Sequence, residues 1–311
     1  MHLRPLIIFG ENRSEAYLLA KGKADYILFM DADDVLNFSG KKTFGKLEKD
    51  CYRFWRGTKT FSYLKPQLVK ANLPWKWIGV THEYLDCSLP YSYTTLENVS
   101  YSTKKGGACS KHPVQKFLRN ICLLEADLKK DPKNARNVFY LAESYRDAGM
   151  PEKSLAYYQK RIQMGGWQEE VFWSYLQTAK LLDKLGLSKN IIKQAYKDAH
   201  FYRRKRIEPV YFLAKIYNSL SQYKKAYNLI SEYKKKWKGK KDTLFNMDWV
   251  ETYGLDLELS VSAHYLGKYV EAKKLSENLL KKKNLSPSIK SLIEKNLRFS
   301  VNELEKKLTT L

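Results

Sequence analysis

The sequence has 311 residues, of which 44% are hydrophobic, and it contains 23 tyrosines and 13 phenylalanines. A chain of this length and composition can build a substantial core, which excludes an intrinsically disordered protein. The formal net charge of +23 at pH 7 is spread along the chain. Proteins that bind nucleic acid specifically concentrate their basic groups on one face. The composition therefore predicts folded domains without a specific nucleic-acid partner.

Three short basic runs stand out within this spread of charge, at residues 203–206, 234–241 and 281–283. Runs of this kind at helix ends are usually solvated and also suit the helix dipole. We therefore expect exposed charges that contribute little to folding. The sequence is also compatible with an acidic partner, such as an anionic membrane surface or a polyanionic glycan.

The first informative element is an apolar run at residues 24–30 that ends in a cluster of acids, Asp31, Asp33 and Asp34. Such a run predicts an interior strand of a parallel sheet, and open α/β sheets bind ligands beyond the carboxyl ends of their strands. Carboxylates at that position supply the hard oxygen ligands that Mg²⁺ or Mn²⁺ prefers. The alternative is an Asp-rich turn that caps the next element.

The acids are flanked by two further motifs. Residues 9–16 read FGENRSEA, residues 31–34 read DADD, and residues 75–84 read WKWIGVTHEY. Their order and spacing resemble the segment of family 2 glycosyltransferases that runs from an Asn-Arg helix start, through a D-x-D motif, to an aromatic-rich segment ending in His-Glu. The resemblance extends to about residue 186, because the run at residues 161–170 is similar to a feature of family members that carry helical repeats.

The resemblance implies a nucleotide-sugar donor and a divalent cation, Mn²⁺ or Mg²⁺. Asp31 and Asp33 would hold the cation, and Asp31 would also bind the donor together with Asn12 and Arg13 of the helix start. The cation would neutralise the departing diphosphate.

The His-Glu pair supplies the other implied roles. Glu83 would act as the general base toward an acceptor hydroxyl, and His82 is either a further metal ligand or a hydrogen-bonded neighbour. Only eight residues precede Phe9, whereas the family begins with strands that bind the nucleotide. We therefore expect an N-terminally truncated GT-A domain.

The second half of the chain carries a repeat. Small residues occur at Ala142, Ala179, Ala214 and Ser260, at spacings of 37, 35 and 46 residues. The first two spacings lie close to the tetratricopeptide period of about 34 residues. Each position is predicted to be the contact between two helices of a hairpin, with glycines such as Gly149 ending the first helix.

Two further features complete the predicted array. An insertion at residues 234–248 explains the long last spacing, and its core KWKGKK is predicted to be a loop. Residues 285–308, which open with Ser286 and Pro287, are predicted to form a terminal capping helix with a polar outer face. Arrays of this type commonly bind a peptide or protein on their concave face.

The cysteines and the hydropathy indicate the compartment. Cys51, Cys87, Cys109 and Cys122 form no C-x-x-C pair and no metal-finger spacing, so reduced thiols are expected. No apolar stretch approaches the roughly 18 residues that a membrane helix needs. The sequence therefore predicts a cytoplasmic protein without a transmembrane segment.

Together these features predict an α/β remnant of a GT-A nucleotide-diphospho-sugar transferase sheet at residues 1–120. An all-α tetratricopeptide-like helical array follows at residues 121–311. The predicted function is transfer of a sugar from a nucleotide-diphosphate donor to a hydroxyl of a protein or glycan acceptor, with the repeats binding acceptor or partner. The alternative is a catalytically inactive scaffold for protein–protein interaction. Asp31, Asp33 and Glu83 favour the enzyme, and the short N-terminal region favours the scaffold.

Overall fold

The computed structural model describes five stretches of the chain, namely residues 9–58, 61–104, 113–236, 241–283 and 285–309. The chain forms two compact units. Unit 1 comprises Met1–Gln177 and Asp242–Asn246, and unit 2 comprises Thr178–Lys241 and Met247–Leu311. The break between the units lies inside a helix, whereas the predicted division at residue 120 follows the change from strands to helices and stays a prediction.

Unit 1 contains a five-stranded sheet in the order β1-β4-β3-β7-β2. Within it, β3 pairs with β7 in parallel and every other pairing is antiparallel. The strands are β1 (Tyr26–Leu28), β2 (Asp34–Phe38), β3 (Cys51–Thr58), β4 (Phe61–Lys70) and β7 (Tyr93–Thr103).

The position of β1 corrects one prediction. The acid-tipped run was expected to form an interior parallel strand, but in the described chain β1 is an edge strand that pairs with β4 in antiparallel register. The strand is only three residues long and half-buried. Its hydrophobic run continues beyond it to Phe29, which is buried in the core between α1 and β5.

Helix α1 (Phe9–Ala20) packs against the two-stranded sheet formed by β5 (Trp75–Ile78) and β6 (Tyr84–Cys87). Tyr17 and Trp77 are buried between them, and the hydroxyl of Ser14 accepts a hydrogen bond of 3.0 Å from the Trp77 backbone N–H. A Cβ atom on Gly10 would lie 2.6 Å from the backbone oxygen of Gly79. The missing side chain therefore allows the start of α1 to approach the end of β5.

The helices of unit 1 follow the sheet. They are α2 (Pro113–Lys130), α3 (Ala135–Asp147), α4 (Pro151–Met164) and the first part of α5 (Gln168–Lys184). Helix α3 begins where the side chain of Asn134 accepts a hydrogen bond of 3.0 Å from the Asn137 N–H. It ends before Gly149, whose φ of +79° suits glycine. Helix α4 turns back onto α3, and the Ser154 hydroxyl donates to the Ala142 carbonyl at 2.8 Å.

Unit 2 is helical in its described part. Beyond the end of α5 it contains α6 (Lys189–Tyr202), α7 (Glu208–Ser219), α8 (Tyr223–Lys236), a π-helical turn (Val250–Gly254), α9 (Leu255–Tyr265), α10 (Tyr269–Leu280) and α11 (Pro287–Thr309). Helices α7 and α8 pack together, as do α9 and α10. Ala214 and Ala226 are fully buried where the first of these pairs meets.

The structure agrees with the predicted repeat register at three of its four positions. Ala142, Ala214 and Ser260 are buried, and a short turn joins each of their helices to a following helix that packs against it. Ala179 is also buried, and its predicted contact with the next helix stays a prediction. The C-terminal helix is also confirmed, because the Ser286 hydroxyl accepts a hydrogen bond from the Ile289 N–H at 3.3 Å and α11 continues to Thr309.

The insertion is only partly a loop. Helix α8 continues to Lys236, while residues 237–240 of the predicted KWKGKK loop lie outside the described residues. Residues 242–246 belong to unit 1, where Phe245 packs against Phe61 and Trp173 at ring-centroid distances of 5.4 and 5.1 Å. The segment after the insertion therefore helps to build the first unit.

Two remaining predictions concern thiols and membranes. In the described chain Cys51, Cys87 and Cys122 are free, and Cys109 lies outside the described residues. Among the described helices, none combines the length and the apolar character that crossing a bilayer requires.

Candidate functional site

Unit 1 contains a cavity of about 1160 Å³. Its walls come from α1, from β3 and β4 of the sheet, from the turn before β6, and from α2, α3 and the junction of α4 with α5. This volume lies slightly above that of ordinary ligand pockets, which hold about 300–1000 Å³. The helix pair α3 and α4 thus lines one side of the cavity, and the sheet lines the other.

A guanidinium group joins two of the predicted catalytic acids. Arg13 on α1 donates from Nε to Glu83 Oε1 at 2.8 Å and from Nη2 to Asp31 Oδ1. Its guanidinium carbon lies 5.0 Å from the centre of the Trp77 ring, which supports it from one side. The two carboxylates are therefore held at fixed positions on the cavity wall.

The structure brings together four of the six predicted site residues. Arg13, Asp31, His82 and Glu83 line the cavity, and Asn12 and Asp33 are not among the described residues that line it. The helix start and the His-Glu turn come close because α1 packs on β5, as described above. The donor-binding and general-base roles of these residues stay predictions.

The predicted metal ligands do not form one group. Asp31 is paired with Arg13, and the His82 ring stacks on Tyr140 with the two ring centroids 4.2 Å apart. In the part of the chain that the structure describes, no three His, Cys, Asp or Glu side chains form a group that could hold a metal ion. Asp31, Asp33 and His82 therefore do not form the three-residue site that was expected for Mn²⁺ or Mg²⁺.

Lys65 on β4 is a cavity residue that the sequence analysis did not single out. It has no ion-pair partner within the described chain, and its ammonium nitrogen lies 5.2 Å from the centre of the Trp77 ring. Burial and the nearby Arg13 and Arg56 lower its pKa to about 8, against the opposing influence of Asp31 and Glu83. Lys65 is thus a cation without a protein counter-ion, and near neutral pH it stays mostly protonated.

The other cations that line the cavity wall are mostly engaged. Arg136 on α3 donates to Glu170 Oε1 at 3.2 Å and to the His82 backbone oxygen at 3.0 Å. Arg161 on α4 is buried and donates to Glu170 Oε2 at 3.0 Å. Burial raises the pKa of Glu170, and the two arginines oppose that rise. Arg136 therefore connects the repeat helices with the turn that carries His82 and Glu83.

His82 is a neutral group at pH 7. Partial enclosure by the cavity walls lowers the pKa of His82, and Lys116, Arg136 and Lys65 add to the decrease. Water reaches the residue through the cavity, which weakens both influences without changing their direction. A neutral imidazole offers one hydrogen-bond donor and one acceptor.

Sequence reasoning missed the residues that come from distant segments. Lys65 lies in the middle of β4, and Arg136 and Tyr140 lie on a helix whose pattern indicated only core packing. One signal was present for Arg161 and Glu170, because both belong to the run that was matched to repeat-bearing glycosyltransferases. Only the fold shows that this run contributes to the cavity wall.

No protein-family model matches this sequence, and no curated protein shows a significant match to it. Solved structures with similarity include MamA, with 15% identity over 66% of this chain and 99% of that chain and a TM-score of 0.35. BtubC from P. vanneervenii has 14% identity over 64% and 85% and a TM-score of 0.47. YrrB, described as a TPR protein with an unusual peptide-binding site, has 13% identity over 59% and 89% and a TM-score of 0.40.

Similarity at these identities and TM-scores carries no argument about function. The helices of this chain define its class by themselves: it contains a helical array resembling the tetratricopeptide fold, preceded by a small mixed sheet. Membership of the glycosyltransferase family stays a prediction.

Proposed function

We propose that this protein is a binding scaffold and that the cavity of unit 1 accepts an acidic segment of a partner protein. The observation that carries the proposal is Lys65, a cavity cation that lacks a counter-ion within the described chain. Lys65 is half-buried, and an ammonium group that is partly removed from water without a partner is destabilising, so a ligand carboxylate would offset that cost.

The balance of charge in the cavity supports the same ligand class. Seven cationic side chains and three carboxylates are found among the described residues that line it. The three carboxylates, Asp31, Glu83 and Glu170, are each paired with an arginine. An acidic ligand would therefore meet excess positive charge, and complementary charge raises both association rate and specificity.

The geometry also supports a peptide-sized occupant. The exposed aromatic residues Tyr84 and Trp167 line the cavity, and Arg136 is stacked between Tyr84 and Tyr140 at 4.6 and 4.8 Å from the ring centres. Tyrosine, tryptophan and arginine are the residues that most often dominate binding energy at interfaces. The first repeat would in this way serve recognition as well as packing.

Binding of short labelled peptides tests the proposal. We expect a peptide of alternating Glu and Gly to bind in a fluorescence-anisotropy titration and its Lys counterpart not to bind. Lys65→Gln should weaken binding at least about tenfold, because removing one member of a buried charge pair is expensive. The matched control is Lys70→Gln on the same strand, whose side chain is 43% exposed and lies 3.6 Å from Asp50. Equal binding of both peptides, or unchanged binding by Lys65→Gln, would contradict the proposal.

A second candidate function is sugar transfer, and the pair of acids on the cavity wall favours it. Asp31 and Glu83 are separated by 52 positions in the sequence, yet one guanidinium holds both at the same cavity. In this proposal Glu83 accepts the proton of an acceptor hydroxyl, Arg13 positions it, and the donor is a nucleotide-sugar. The predicted Mn²⁺ or Mg²⁺ stays a prediction, and no step here depends on it.

Release of nucleoside diphosphate from a panel of nucleotide-sugars, with and without Mn²⁺, tests this candidate. Glu83→Gln should abolish release, and Asp86→Asn on the same hairpin should not, since Asp86 is exposed and does not line the cavity. If no donor is turned over while the acidic peptide still binds, the transferase is refuted and the scaffold remains.

A further inference from the structure

The three basic runs of the sequence lie at one end of the helices of unit 2. Each run stands at the C-terminal end of an alternate helix, at residues 203–206 after α6, 234–236 at the end of α8 and 281–283 after α10. These three runs form what we call the basic edge of unit 2. Neither proposed function uses it.

Contacts between the helices establish that the three ends lie together. The His200 ring near the end of α6 lies 5.8 Å from the Tyr233 ring near the end of α8, measured between ring centroids. Lys234 at the end of α8 pairs with a carboxylate in the first turn of α9. Lys282, after α10, donates to the Thr252 backbone oxygen in the π-helical turn that leads into α9. Runs that are far apart in the sequence therefore meet around the start of α9.

The basic edge carries a surplus of positive charge. Its four segments contain ten basic and five acidic residues, at residues 201–208, 232–236, 248–256 and 281–283. Arg206 is buried in its pair with Glu208, and the other nine basic side chains are exposed or half-buried. Lys235, Lys281 and Lys283 have no ion-pair partner within the described residues. The edge is therefore suited to a partner with many negative charges.

An exposed aromatic side chain stands beside the basic edge. Phe201, in the last turn of α6, is 73% exposed, and the guanidinium carbon of Arg204 lies 5.2 Å from the centre of its ring. The neighbouring Tyr202 is also exposed. Aromatic rings beside lysines and arginines are the combination that binds the interface of an anionic bilayer. A soluble polyanion would match the charge but would offer no apolar layer to the Phe201 ring.

We propose that the basic edge docks on an anionic lipid surface and that the Phe201 ring enters the headgroup region. Each lysine or arginine near such a surface contributes about fivefold to the affinity, so the three runs together bind far more tightly than one run alone. The proposal concerns unit 2 and rests neither on the acidic-segment ligand nor on sugar transfer.

Vesicle co-sedimentation of the full chain tests the proposal. We expect binding to vesicles of phosphatidylcholine and phosphatidylserine in a roughly three-to-one ratio, and binding at least about tenfold weaker to phosphatidylcholine alone, because only the anionic surface attracts the basic edge. Binding to the anionic vesicles should weaken as salt is added, since exposed charges are screened. Phe201→Ser should weaken it at least about fivefold by removing the apolar contact.

A triple substitution locates the docking surface. It combines Lys235→Gln, Lys281→Gln and Lys283→Gln, which lie at exposed positions without ion-pair partners in the described chain. The triple variant should bind anionic vesicles on the order of 100-fold more weakly, since three contributions of about fivefold are lost. Its melting temperature should equal that of the parent, because exposed charges contribute little to stability.

The matched control removes the same charge from the other end of the helices. It combines Lys224→Gln, Lys225→Gln and Lys268→Gln, all at exposed positions. Lys268 Nζ donates to the Tyr227 hydroxyl at 3.0 Å, which joins the starts of α8 and α10 at that end. Lys224 lies roughly 16 Å along α8 from the basic edge, farther than the Debye length of about 8 Å at physiological salt. The control should therefore bind vesicles within about twofold of the parent.

Four results would overturn the proposal. They are equal binding to neutral and anionic vesicles, equal losses in the two triple variants, unchanged binding by Phe201→Ser, and displacement of the vesicles by a lower charge concentration of oligouridylate or polyglutamate. The last result would identify a nucleic acid or an acidic protein as the partner of the basic edge. Lys65→Gln separates the proposals, since it should weaken acidic-peptide binding and leave vesicle binding unchanged.

Discussion

Replacing Lys65 by methionine should stabilise this protein while impairing its proposed binding function. The ammonium group is enclosed by the cavity wall without a counter-ion in the described chain, and its pKa falls from 10.5 to about 8. At 1.36 kcal/mol per pKa unit, this decrease corresponds to about 3 kcal/mol of lost stability at pH 7. The cation–π contact between the Lys65 ammonium and the Trp77 ring at 5.2 Å stabilises the folded state by about 1 kcal/mol. Because water also reaches the cavity, we expect Lys65→Met to gain about 1–2 kcal/mol.

The pH dependence of that gain identifies its cause. Below pH 8 the lysine is protonated in both the folded and the unfolded chain, so the whole penalty is present in the parent. Between about pH 8 and 10.5 the unfolded chain binds more protons than the folded one, so the stability of the parent rises relative to that of Lys65→Met. The difference between the two proteins should therefore shrink across this window and vanish above it.

Urea unfolding of both proteins at several pH values measures the effect. Lys70→Met is the control on the same strand, and its exposed pair with Asp50 should change the free energy of unfolding by about 0–1 kcal/mol at every pH. Destabilisation by Lys65→Met at pH 7, or a gain that stays constant up to pH 10.5, would refute the reasoning that a buried charge is the cause.

Three further substitutions test the packing of the fold by urea unfolding. Arg206→Ala should lower the free energy of unfolding by about 3–5 kcal/mol, because it leaves the buried carboxylate of Glu208, which pairs with Arg206 at 2.6 Å, without a counter-ion. Arg204→Ala, at an exposed position of the same run, should change it by no more than about 0.5 kcal/mol. Equal effects of the two substitutions would contradict the conclusion that Arg206 forms a buried ion pair. Gly10→Ala should cost about 1–3 kcal/mol, since the new Cβ would lie 2.6 Å from the Gly79 oxygen; an unchanged stability would show that α1 does not approach β5 so closely. Ala214→Leu should cost a similar amount by overpacking a fully buried contact, and a neutral result would mean that the repeat register is wrong.

The basic run at residues 203–206 shows how far a local pattern can be interpreted. The sequence predicted four solvated charges, and Arg204 and Lys205 are indeed exposed. Arg206 is 3% exposed and paired with Glu208, so the prediction is wrong for that residue. A run of charged residues predicts that most of its side chains are exposed. It does not predict that one of them is buried, because that depends on Glu208, the partner at the start of the following helix.

The candidate site was predictable only in part, for a related reason. The D-x-D run and the His-Glu turn pointed to Asp31 and Glu83, but nothing in the sequence placed Arg13 between them. Arg13 lies 18 and 70 residues away from these acids. Lys65 was equally hidden, because its lowered pKa depends first on burial by the cavity walls and then on Arg13 and Arg56, which come from another helix and another strand. Cavity chemistry of this kind follows from sheet register and helix packing, which a local pattern does not contain.

Local patterns in the sequence were sufficient to predict the helical array. Small residues at Ala142 and Ala214, turn glycines such as Gly149 and the capped start of the last helix all act within one or two helical turns of their position. Local periodicity is therefore sufficient to predict them. Two other features became visible only in the fold: β1 is an edge strand, and one guanidinium joins Asp31 to Glu83. These features depend on contacts between segments far apart in the chain, where the pairing of whole elements and not the local pattern sets which groups meet.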